Sequence, residues 1–210
     1  MPEQQEIEIK FHLTDPLAFR QQVLQTGARS RGEPVAEYNI RLDDAAGVLA
    51  QQDIVLRVRS TSADDEGLVT VKLPVPDTDP TFKIVKEIEF MVSDRHAMVE
   101  MLAVLGYRPA WIYEKRREKL DWRGVQICLD EMPMGWFAEL EGSEAGIRAL
   151  AAELNLDLAD GITLTYAQLF EHVRQSLKLS MTDLTFEAFT EVIVSPDVFS
   201  KTNLSARLSE

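Results

Sequence analysis

The feature that most constrains this chain is an alternation of charged and apolar residues, with a period of two, that recurs in segment after segment. Glu6, Glu8 and Lys10 take turns with Ile7, Ile9 and Phe11, and Arg57 and Arg59 with Leu56 and Val58. Lys72 lies between Val71 and Leu73, and Glu87 and Glu89 oppose Ile88 and Phe90. Lys115, Arg117 and Lys119 share one parity; Glu139 and Glu141 oppose Ala138 and Leu140; Asp130 runs with Gln126 and Cys128, away from Val125, Ile127 and Leu129. In a strand, alternate side chains point to opposite faces, so each segment reads as a strand with one charged and one apolar face. One such strand fits a sheet whose charged face is in water. With six or seven, the apolar faces must be covered, and the charged faces line either solvent or an enclosed interior.

The punctuation between these segments predicts hairpins and a few helices. Strands are expected near 4–12, 34–43, 53–61, 67–74, 82–92, 109–121, 123–130 and 136–142. Asp15-Pro16 starts a helix that Gly27 ends; Ser93 caps one reaching Leu105 before Gly106; Ser143–Leu154 and Thr165–Leu177 read as two more. The loop Ala63-Asp64-Asp65-Glu66-Gly67 makes a hairpin, and Pro74 to Pro80 is a turn-rich link. In the tail a helix is expected around Asp183 to Val194, with a loose polar end after Pro196. The sum is an α+β chain of about eight strands, an antiparallel barrel or a strongly curved sheet with helices packed outside, over 1–177, and a C-terminal extension over 178–210.

Composition narrows the partners. With 22 Lys and Arg against 35 Asp and Glu, the net charge of −13 argues against nucleic acid, which needs a basic face. It leaves room for an anionic small molecule, because a concave site can concentrate the opposite sign. The acidic start is unlike a signal peptide, and no apolar run approaches the roughly 20 residues that cross a membrane, so a cytoplasmic location is the default expectation. The one cysteine, Cys128, excludes an intramolecular disulfide.

The distribution of charge types favours an enclosed interior. Glu-x-Glu pairs occur on the first and last strands, with Arg-x-Arg and Lys-x-Arg between them. Paired carboxylates on one face repel unless something positive lies between them, and Mg²⁺ takes oxygen ligands from carboxylates and phosphates. Arginine and lysine suit phosphate oxygens. Carboxylates for a metal beside cations for phosphate make a phosphoryl- or nucleotidyl-transfer constellation.

These residues resemble a known family. Glu6-Ile7-Glu8-Ile9-Lys10 is similar to the ExExK signature of the CYTH superfamily, the triphosphate tunnel metalloenzymes. Leu56-Arg57-Val58-Arg59, Val71-Lys72-Leu73-Pro74, Lys115-Arg116-Arg117-Glu118, Leu129-Asp130-Glu131 and Gly135 to Glu141 follow in the order of its later motifs, over about residues 4–175. The chain looks closest to the class IV adenylate cyclase-like branch, which includes thiamine and inorganic triphosphatases. The resemblance implies an eight-stranded antiparallel β-barrel, a tunnel with Mg²⁺ or Mn²⁺ held by Glu6, Glu8, Asp130, Glu139 and Glu141, and a triphosphate bound by Lys10, Arg57, Arg59, Lys72, Lys115 and Arg117, with Glu87 at a further acidic position. Glu6, Glu8 and Lys10 are the expected catalytic set. In Asn39-Ile40-Arg41-Leu42-Asp43 the chain departs from the aromatic-aromatic-Asp segment of many relatives, and Leu73 replaces a frequent glycine.

His12, His96 and His172 lack metal-ligand spacing and are expected to be structural; Trp111, Trp122 and Trp136 suit core or helix contacts, and Cys128 suits filler. There is no P-loop, GxGxxG or GxSxG. The leading expectation is hydrolysis of a triphosphate-bearing substrate by metal-activated water. The alternatives are cyclisation of ATP to cyclic AMP and pyrophosphate, and a polyphosphate or nucleotide sensor without turnover. The partner is then a triphosphate-containing small molecule, and the apolar tail stretch of Phe186, Phe189, Val192, Ile193 and Val194 packs on the barrel or supports a homodimer.

Overall fold

The computed structural model describes residues 4–61, 65–76 and 79–207. Ala63 and Asp64 of the expected hairpin loop, and Asp77 and Thr78 of the turn-rich link, lie outside the described residues. The strands are β1 (Gln4–Leu13), β2 (Arg29–Ser30), β3 (Val35–Asp43), β4 (Val55–Ser60), β5 (Gly67–Pro74), β6 (Lys83–Val92), β7 (Arg108–Trp122), β8 (Val125–Met132) and β9 (Gly135–Glu141). The helices are α1 (Pro16–Gln25), α2 (Val48–Gln51), α3 (Arg95–Val104), α4 (Glu144–Glu153), α5 (Tyr166–Ser176) and α6 (Lys201–Arg207).

Eight strands close an antiparallel barrel in the order β7-β3-β4-β5-β6-β1-β9-β8, and β8 pairs back with β7. The two-residue β2 adds to β7 through Arg29 and Ser30. The register puts charged residues side by side on the inner face. Glu8 is opposite Glu141, Lys10 opposite Glu139, Arg57 opposite Arg41, Lys72 opposite Glu87, and Arg117 opposite Asp130.

The outer face is largely apolar and the helices cover most of it, while Ile88 and Phe90 of β6 stay half-exposed. Ile9, Phe11, Leu120, Ile127 and Leu140 pack with Phe19 and Val23 of α1 and with Ile147 and Leu150 of α4. Leu42, Leu56, Val58 and Val69 pack with Leu102 of α3. Each such side chain, once fully buried, is worth about 1.5–3 kcal/mol, which makes this coat of helices the hydrophobic core. Helix α5 packs across part of one end of the barrel, where Leu169, Phe170 and Val173 meet Phe137, Met132 and Met134. No helix among the described residues is long and apolar enough to cross a membrane.

Local chemistry fixes the helix ends. Asp15 accepts from the Ala18 N–H at 2.9 Å, and Gly27 takes φ +87° after α1. Thr165 and Gln168 form a reciprocal capping box on α5. The cap of α3 is Asp94, not Ser93: the Asp94 carboxylate accepts from Ala97 N–H at 2.8 Å.

The tail differs from its sequence expectation. Residues 183–194 form no helix: their first residues bond to β7, and the rest make turns. Leu184 bridges Tyr113 in parallel, Asp183 accepts from the Ile112 N–H at 2.9 Å, and Glu114 accepts from the Phe186 N–H at 2.9 Å. After Pro196 the chain is ordered too, as a 3₁₀ turn (Pro196–Phe199) followed by α6. Buried Leu184, Phe189, Phe199 and Leu204 join the cluster at that end of the barrel.

Candidate active site

The inner faces of β1 and β9 carry acids. Glu6, Glu8 and Glu141 each place a carboxylate oxygen within 4.8 Å of the others. Burial pushes the Glu141 carboxyl above its ordinary pKa; Arg117 opposes this, while Glu139, Glu6 and Glu8 add to it. Burial alone would also raise Glu8, but Lys83 and Lys10 bring it down to about 2. Three convergent carboxylates, one of which burial disfavours in its charged form, fit a hard divalent cation.

Asp130 and Glu139 stand differently. Asp130 is fully buried and accepts from Lys115 Nζ at 3.1 Å, from Arg117 Nε and Nη2 at 2.6 Å each, and from the Tyr166 hydroxyl at 2.7 Å. Glu139 is paired with Lys10 at 2.7 Å and with Arg117. Four donors occupy the lone pairs that a metal would need on Asp130. The arrangement suits holding Arg117 and Lys115 in place.

The cations come from β1, β4, β5 and β7. Lys10, only 1% exposed, contacts Glu139 and lies 4.6 Å from the Tyr166 ring centroid, and those acids keep its ammonium protonated against burial. Arg57 donates to the Tyr113 hydroxyl at 3.1 Å and to Thr70 at 3.0 Å; Arg59 donates to Asn39 at 2.8 Å and pairs with Glu37 at 3.2 Å. Lys72 pairs with Glu6 and, at 3.2 Å, with Glu87, whose carboxyl burial raises. Lys115 lies 3.5 Å from Glu37, and Arg117 3.7 Å from Glu141. All the site residues singled out from sequence therefore face one interior.

That interior holds residues the sequence reading passed over. Lys83 contacts Glu8 at 2.7 Å, and its parity with Glu87 and Glu89 signalled an inward side chain. Glu37 and Arg41 carried the same signal on β3. Burial opposes ionisation of Glu37, yet Lys115 and Arg59 hold it at about 2. Tyr113 is likewise opposed by burial, yet Arg57, Arg59 and Lys115 bring its hydroxyl down to about 7. Tyr166 comes from α5, and no strand pattern could reveal it. The minor readings are simpler. His12 stacks on Phe199, His172 donates to the Val198 carbonyl at 2.9 Å, and His96 is exposed beside Asp65. Burial drives the Cys128 thiol well above its ordinary pKa, which makes it a poor nucleophile.

The closed barrel, its inward charge pattern and the order of its motifs agree with one family, and the CYTH domain matches residues 4–183. The chain belongs to the CYTH domain family. This CYTH chain also resembles solved structures. A candidate adenylate cyclase from Vibrio parahaemolyticus shares 23% identity at a TM-score of 0.68, covering 80% of this chain and 99% of that one. A Pyrococcus horikoshii protein shares 22% identity at 0.65, covering 77% and 96%. A Hippeastrum protein, described as a candidate adenylyl cyclase with a dominant triphosphatase activity, shares 19% identity at 0.59, covering 81% and 96%. At these identities the likeness is one of CYTH fold. No curated protein matches the chain.

Proposed function

We propose that this protein hydrolyses a triphosphate-bearing substrate in its barrel, with a divalent cation held by Glu6, Glu8 and Glu141. The observation that carries the reading is the approach of these three carboxylates to within 4.8 Å, facing a wall of buried arginine and lysine in the same tunnel. Held by these three carboxylates, Mg²⁺ or Mn²⁺ would supply positive charge to phosphoryl oxygens. Arg57, Arg59, Lys10 and Lys115 surround the space beside the trio and neutralise charge as it spreads over the transferred phosphoryl group. Asp130 and Glu139 hold Arg117, Lys115 and Lys10 in position, so that little reorganisation accompanies reaction. Enclosure in the barrel excludes bulk water and strengthens each of these interactions.

Cyclisation of ATP is the second reading, supported by the candidate cyclase among the solved structures of this fold. Incubation with tripolyphosphate, ATP and thiamine triphosphate, each with Mg²⁺ or Mn²⁺, separates the readings by product. Orthophosphate release is the expected result. Cyclic AMP with pyrophosphate would establish the cyclase, and tight binding without turnover a sensor.

A further inference from the structure

The inner face near α5 contains donors with nothing to bond. Trp111, Arg41 and Arg57 form a row across β7, β3 and β4, Arg41 being the ladder partner of both its neighbours. Trp111 stacks on Tyr113 at 4.6 Å and on Phe170 at 5.9 Å, which fixes the indole, yet its buried Nε1–H has no acceptor. Arg57 is 7% exposed, and its Nε–H is also without an acceptor. Among the described residues, Arg41 makes no hydrogen bond or salt bridge at all. Burial and the neighbouring Arg57 both work against its charge. Buried donors are almost always paired, so two of them beside a half-buried guanidinium without a partner mark a place for an acceptor-rich group. The first turn of α5, Thr165 to Ala167, lines the same cavity and adds the positive end of a helix dipole.

We propose, on the basis of the triphosphate reading above, that Trp111, Arg41 and Arg57 form a subsite for the terminal phosphoryl group of the substrate, and that Arg41 selects for a bare phosphate end at this mouth. An organic group there would leave Arg41 and the indole N–H buried and unpaired, and a cationic ring would be repelled. Both ends have room, and the cavity that Arg41 borders, about 490 Å³ with Val55, Pro74 and Val75 beside Asp53 and Glu171, is the larger, so the unpaired donors and not space set the direction. Beyond Arg59 and Arg117 lies a cavity of about 370 Å³ to which Val35, Leu68 and Met91 contribute apolar surface. That volume lies in the range of small-molecule pockets. The organic part of a triphosphate ester therefore extends towards that end, and the terminal phosphate towards α5. Neither Arg41 nor Trp111 belongs to the motifs read from the sequence; Arg41 stands in the segment where many relatives carry an aromatic residue.

Calorimetric titration of wild type, Arg41→Leu and Trp111→Phe with ATP and with ATP methyl-esterified on its terminal phosphate, in the presence of Mg²⁺, tests the assignment. Wild type is expected to bind ATP about 10-fold or more tighter than the ester, the size of one lost charge-assisted contact. In Arg41→Leu that ratio falls towards one because ATP weakens. Trp111→Phe keeps the ring stack and loses several-fold for ATP. If Arg41→Leu does not fold, Arg41→Gln carries the same expectation. Discrimination that survives the Arg41 substitution, or is missing in wild type, overturns the subsite while leaving triphosphate binding intact. Failure of wild type to bind ATP, its ester or tripolyphosphate overturns the triphosphate reading and the subsite together.

Discussion

At the scale of single residues, acids of the same type do opposite work in this tunnel, and substitution separates them. Glu141 is a carboxylate that burial already disfavours. Glu141→Gln should leave thermal stability unchanged or slightly higher, while Mn²⁺ affinity, followed by calorimetry, falls by an order of magnitude or more. Unchanged Mn²⁺ affinity would remove Glu141 from the ion site. Asp130 is the reverse case, being the shared acceptor for Lys115, Arg117 and Tyr166. Asp130→Asn leaves buried cations without their counter-charge, a change that typically costs about 3–5 kcal/mol. Urea unfolding should show that loss without any added metal. If stability stays within the error of the wild type, Asp130 is not the group that holds Arg117.

At the scale of elements, the strands were the legible part and the tail was not. Glu6 to Lys10, Arg57 to Arg59 and Glu139 to Glu141 each revealed inner and outer faces, because a two-residue period has one structural interpretation once the apolar face must be buried. The same parity applies to Lys83, Glu37 and Arg41, which the motifs leave aside and which only the structure brought into the site. Asp94 took the cap expected of Ser93 because a neighbouring carboxylate offers an equally good acceptor one residue on. The apolar residues between Phe186 and Val194 read as a helical stripe, but β7 ties down the start of the segment at Asp183, Leu184 and Phe186, and the residues after it form turns. Nothing in the sequence around Asp183 announces that partner, which lies some seventy positions away. The practical consequence is a strong dependence on the tail. Truncation after Leu177 removes buried Leu184, Phe189, Phe199 and Leu204. At roughly 1.5–3 kcal/mol each this rivals the roughly 5–15 kcal/mol total stability of a typical domain. The shortened chain should lose its cooperative melting transition; a sharp transition within a few degrees of full length would show the barrel stands without it.

At the scale of the whole molecule, the interior charge network sets the response to acid. Glu37 titrates at about 2 in the folded protein against an ordinary 4.5, so the folded state binds fewer protons than the unfolded state across that interval. The resulting stabilisation, on the order of 3 kcal/mol, is complete above about pH 4.5 and disappears as the pH falls towards 2. Glu8 acts in the same direction. Unfolding free energy measured from neutral pH downward should drop through this window, and Glu37→Gln should flatten part of the drop. An equally steep decline in Glu37→Gln would assign it to other carboxylates. The closure of the barrel has a further consequence, in time. β1 is hydrogen-bonded to β6 and β9 and to no earlier strand, so the segment made first waits for Gly135–Glu141 before both its sides are satisfied. Pairings so distant along the chain are slow to form. During synthesis on the ribosome, Glu6 and Glu8 stay apart from Glu141 until Gly135–Glu141 has emerged, and a nascent chain stalled before β9 has an open edge that a chaperone can hold.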